Sequence, residues 1–83
     1  MQHRYTCRGT CSREVSFDLA EDGTVSGVRF VGGCSGNTQG VAALVEGEKA
    51  EDIIARLKGI KCGFKPTSCP DQLATALQQA LAK

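Results

Sequence analysis

Eighty-three residues, 41% of them hydrophobic and none of them Trp, make one small domain spanning residues 1–83, with a core of mostly Val, Leu, Ile and Ala. A chain of this size buries only roughly 60 to 65% of its unfolded surface, which invites a metal or disulfide staple. A net charge of +1, with no dense run of Lys or Arg, argues against a DNA or RNA partner.

No apolar run approaches the roughly 18 to 20 residues of a membrane span. Met1 to Thr10 hold neither an apolar stretch nor a cleavage-like site. The expectation is a cytoplasmic chain, where thiols stay reduced.

In chain order, Arg4 to Thr6 suit a short strand leading to Cys7-Arg8-Gly9-Thr10-Cys11. Val15, Phe17 and Leu19 then alternate with Glu14, Ser16 and Asp18, the pattern of a strand with one wet face. Asp22-Gly23 signals a turn. In the run from Val25 to Val31, Val28 and Phe30 share one parity and Val25 the other, so Gly27 predicts a bulge that resets the face. Residues 14–31 therefore read as a β-hairpin. Beyond Gly32-Gly33-Cys34, a helix is expected from Asn37 or Thr38 to Val45, with Val41, Leu44 and Val45 inward and Gly47 as its stop. A second runs from Lys49 or Ala50 to Lys58, acidic at its start (Glu51, Asp52) and basic at its end (Arg56, Lys58), with Ile53, Leu57 and Ile54 inward.

The third helix opens inside Thr67-Ser68-Cys69-Pro70-Asp71-Gln72-Leu73-Ala74. Ser68 can cap it, Asp71 follows three positions later, and Pro70 sits in the first turn, where a missing N–H costs nothing. Leu73, Leu77 and Leu81 recur at intervals of four and are expected to be buried. The fold class is α+β: an antiparallel hairpin or three-stranded sheet followed by three helices.

Five cysteines are the chemical signature, and the odd count fits poorly with a closed disulfide framework. Cys11, Cys34, Cys62 and Cys69 each stand at a joint between elements, whereas buried structural cysteines usually lie on apolar faces. Cys69, at a helix start, meets unpaired N–H groups and the positive end of the dipole, which favour a thiolate. Four thiolates suit zinc or an iron–sulfur cluster equally. A thiol–disulfide redox site and inert structural thiols are the other readings. Cys7-x3-Cys11 has zinc-knuckle spacing, but Cys62-x6-Cys69 is loose. The loop from Gly32 to Gly40 is a candidate anion or cofactor site through Gly33, Ser35, Gly36, Asn37 and Thr38, for a nucleotide or flavin phosphate, though it carries no phosphate-loop pattern. With a single His (His3), no Ser-His-Asp or Cys-His constellation exists, and no catalytic residue is assigned.

Gly33-Cys34-Ser35-Gly36-Asn37, Leu57-Lys58-Gly59-Ile60-Lys61-Cys62-Gly63 and Thr67-Ser68-Cys69-Pro70-Asp71-Gln72-Leu73-Ala74 together resemble the TSCPD domain family, in particular its short free-standing four-cysteine members. The resemblance runs from Tyr5 to Leu81 and matches Cys11, Cys34, Cys62 and Cys69 to the family's cysteines, leaving Cys7 as an extra thiol. Such domains also stand at the C-terminus of adenosylcobalamin-dependent ribonucleotide reductases. The resemblance thus implies a link to deoxynucleotide synthesis and a ribonucleotide reductase, or another redox enzyme, as partner. A chain this short cannot house a radical cofactor, a radical thiol and a reducing pair, so it implies an accessory module.

Overall fold

The computed structural model describes residues 2–9, 12–32, 35–61 and 67–82. Three antiparallel strands, β1 (Gln2–Thr6), β2 (Ser12–Leu19) and β3 (Val25–Gly32), form a sheet in the order β1-β2-β3. Three helices follow: α1 (Ser35–Val45), α2 (Ala50–Leu57) and α3 (Cys69–Leu81). This is the expected α+β arrangement.

Alternation selects the buried face of the sheet. Val15 and Phe17 of β2 are fully covered, as are Val25 and, almost completely, Val28 of β3. Gly27 resets the parity as predicted. The register slips between Ser16↔Arg29 and Asp18↔Ser26, and Gly27 takes φ +61°, so Val25 faces inward with Val28. The N–H of this bulge donates to Glu46 Oε1 at 2.9 Å. A second slip, between Ser12↔Gly32 and Glu14↔Val31, turns Ser12 inward beside Val15, where simple alternation would leave it outside.

The helices cover that face with Val45, Ala50, Ile53, Leu73, Ala76 and Leu77. Leu73 and Leu77 are completely buried, each contributing about 1.5–3 kcal/mol by leaving water. Two expectations are corrected. Leu44 is 81% exposed, because the inward stripe of α1 is Thr38, Val41, Ala42 and Val45. Leu81 is 42% exposed: it lies in the last turn of α3, where it lines open clefts beside the start of α2. The start of α1 also moves, to Ser35 instead of Asn37 or Thr38.

At one end of the molecule the hairpin turn is tied to the α1–α2 connector. Val25 donates to the Glu48 carbonyl, Gly47 to that of Val25, and Ala50 to that of Gly23, all at 2.8 Å. The start of α3 lies among the 7–9 segment, the beginning of β2 and the residues just after α2.

Candidate thiol site

The first turn of α3 forms as its sequence dictates. Ser68 is the N-cap, its Oγ accepting from the Asp71 N–H at 3.2 Å, and Pro70 occupies the first turn. Cys69 is thereby the first helical residue, partly exposed, at the end where helix N–H groups favour negative charge.

Around this turn a partly buried polar network joins three stretches of chain. The Ser68 hydroxyl donates to the Ile60 carbonyl at 2.7 Å. The Asp71 carboxylate accepts from the Gly59 N–H at 2.7 Å and from the Thr67 hydroxyl. Gln72 donates through Nε2 to Thr67 Oγ1 and accepts, through Oε1, the Arg8 N–H, both at 3.0 Å. Ser68, Asp71 and Gln72 are all buried. Among the described residues no buried side-chain nitrogen or oxygen lacks a partner, the condition under which such a network holds a structure instead of weakening it. Gly9 approaches Thr67 so closely that a Cβ there would stand 3.0 Å from Thr67 Cγ2, and its φ of +77° also calls for glycine.

The Asp71 carboxyl is pushed up by burial. The hydrogen bonds from Thr67 and Gly59, with the Lys58 charge, outweigh that and hold it below its ordinary value. It is therefore an anion at neutral pH, taking two donors in a fixed direction.

Ser12 Oγ lies 2.8 Å from Cys69 Sγ, and either atom can donate. Cys7, the extra thiol of the sequence reading, is buried in the core. Its pKa is pushed from 9.0 to about 11, first by burial and then by the negative charges of Cys69 and Glu14. Cys7 thus keeps its proton at neutral pH.

Of the four cysteines read as a site, Cys69 alone is described; Cys11, Cys34 and Cys62 lie outside the described residues, as does Gly33. Among the described residues no group of three or more His, Cys, Asp or Glu is arranged to hold a metal ion. Ser35, Gly36 and Asn37 open α1, and Thr38 is buried. An open groove of about 410 Å³ runs between β3 and α1, lined in part by Arg29, Gly32, Thr38 and Gln39. His3 stacks on Phe17, its cross-strand neighbour, with ring centroids 5.4 Å apart. No helix among the described residues is long and apolar enough to cross a membrane.

Sequence reasoning missed Ser12, Thr67, Gln72 and Gly59 as members of this site. Thr67 and Gln72 carried a signal, since both flank the cap and each can donate and accept. Ser12 carried none, because the bulge that turns it inward follows from pairing with β3 and not from the alternation of β2.

The model of the TSCPD domain matches residues 1–81, essentially the whole chain. No curated protein and no solved structure matches it. The chain belongs to the TSCPD domain family.

Proposed function

We propose that this protein is a four-thiol metal-binding module, with Cys11, Cys34, Cys62 and Cys69 holding a zinc ion or an iron–sulfur cluster, and that it serves as an accessory to a ribonucleotide reductase or another redox enzyme. One observation carries the reading: the stretches leading to three of these cysteines are all fastened, directly or through one residue, to the turn that bears the fourth. Ser12, which follows Cys11 in the chain, touches the Cys69 sulfur. Ser12 also pairs with Gly32, two residues before Cys34. Ile60, two residues before Cys62, accepts the hydrogen bond of the N-cap Ser68.

Cys69 fits a soft metal: its sulfur sits at a helix N-terminus with a hydroxyl partner, and both stabilise a thiolate. Cys7, buried and protonated, is a spectator to metal binding. A bound zinc would add folding energy to a small core, whereas a cluster would add electron transfer. The role of the protein's own residues is to hold the segments in register: Asp71 fastens the Gly59 end, Gln72 the Arg8 end, and Ser12 positions the sulfur.

The test is elemental analysis of chain purified without oxygen, repeated after reconstitution with zinc and with iron plus sulfide. Stoichiometric metal, lost on replacing any of the four cysteines with Ser and retained in Cys7→Ser, is the expected result. A chain that carries no metal and takes up none refutes the reading.

A further inference from the structure

Building on the four-thiol reading, we infer that Ser12 is a positioning residue for Cys69, donating its hydroxyl proton to the metal-bound sulfur. Ser12 is 3% exposed and its Oγ stands 2.8 Å from Cys69 Sγ. It reaches that position only because β2 bulges between Ser12 and Glu14, a departure from alternation that places a hydroxyl in the interior. A polar group so buried costs stability unless its partner rewards it.

Chemistry fixes the direction of the bond once metal is present. A thiol can donate or accept, but a metal-bound thiolate has no proton and can only accept, so the hydrogen bond runs from Ser12 O–H to sulfur. A bond to a charged acceptor is roughly twice as strong as a neutral one, and a poorly solvated setting strengthens it further. The hydroxyl therefore favours the metal-bound form over the empty thiol. It also fixes the sulfur's direction and withdraws electron density from it, which raises the energy of sulfur-to-metal charge transfer. Partners outside the ligand set typically change metal affinity by about 10–100-fold when removed.

Titration with cobalt(II), whose thiolate charge-transfer band reports the sulfur directly, separates this role from a structural one. In Ser12→Ala the band should move to lower energy and affinity should fall about 10–100-fold; Ser12→Thr should restore both. If Ser12→Ala does not fold, Ser12→Thr and Ser12→Val, alike in shape and differing in the hydroxyl, make the same comparison. A band unmoved in a folded variant lacking the hydroxyl overturns the proposal, whatever happens to affinity. Wild-type chain that binds no cobalt removes the four-thiol reading and this proposal with it, whereas wild-type binding with an insensitive band removes this proposal alone.

Discussion

At the hairpin end, Lys49 reaches Asp22 across 3.4 Å with both side chains more than half exposed. At the α3 end, the buried carboxylate of Asp71 accepts the Gly59 N–H at 2.7 Å. Both aspartates fasten a turn to a distant segment, yet the two bonds differ in what happens when they break. Water takes the place of the exposed partner at once, so the pair adds little. Asp71 is buried and its donors, on Gly59 and half-buried Thr67, sit in part-buried bonds, so water replaces the carboxylate there less completely. The hairpin end is in any case held by backbone bonds among Gly23, Val25, Gly47, Glu48 and Ala50, which no side-chain change removes. The end that bears Cys69 relies on side chains, and a single substitution can loosen it.

The largest effect should therefore follow Asp71→Ala. It takes the acceptor from the Gly59 N–H and the Thr67 hydroxyl, a loss of about 1–3 kcal/mol by denaturant unfolding. For a domain whose total stability is of order 5–10 kcal/mol that is a severe change. A loss under about 1 kcal/mol would mean that the network is no stronger than the exposed end.

Gly9→Ala comes next. A Cβ there must enter a left-handed backbone conformation and stand 3.0 Å from Thr67 Cγ2. About 1–2 kcal/mol of backbone strain is expected, measured the same way. By contrast Gly23, with φ +89°, has open space around it. Gly23→Ala incurs the strain without the collision, and the difference between the two variants measures how tightly the 7–9 segment is pressed onto Thr67.

How far these differences could be foreseen depends on the kind of interaction. The sheet, the Gly27 bulge and the limits of α2 were legible because alternation, turn residues and helix-end charges are local signals. The capped start of α3 was legible for the same reason. Leu44 and Leu81 misled because spacing identifies an apolar stripe but not how far the opposing surface extends. The network around Asp71 was hidden because its partners, Arg8, Gly59 and Ile60, are distant in sequence and contribute backbone groups, which every residue possesses. Ser12 was hidden by a second bulge, and Cys7, read only as an extra thiol, is a core residue beside the helix start.

Acid separates the two aspartates by a smaller margin. The folded-state pKa of Asp71 is depressed, so its contribution is complete above the unfolded value of about 3.9 and is lost as pH falls through the folded one. Stability should begin to fall as pH drops below about 5 and go on falling through the folded value, and Asp71→Asn should flatten that slope. Asp22 is also depressed, chiefly by the Thr24 backbone N–H, and its loss has the same sign. Measured unfolding curves should show the greater flattening for Asp71→Asn, and an equal flattening from Asp22→Asn would erase the distinction between the two ends.

The smallest effect belongs to Asp22→Asn at neutral pH. The Asn amide oxygen can still accept the Thr24 N–H, which Asp22 Oδ1 now accepts at 2.9 Å, so the turn keeps its local bond. Lys49 also keeps its 2.8 Å bond to the carbonyl of residue 22, which the substitution leaves in place. Only the charge pair is lost, and it is exposed on both sides and screened at physiological salt. The melting temperature should match wild type within experimental scatter and show no added salt dependence. A clear loss that vanished in high salt would mean the pair holds the hairpin turn onto α2 more strongly than its exposure allows, and the two ends would then be alike.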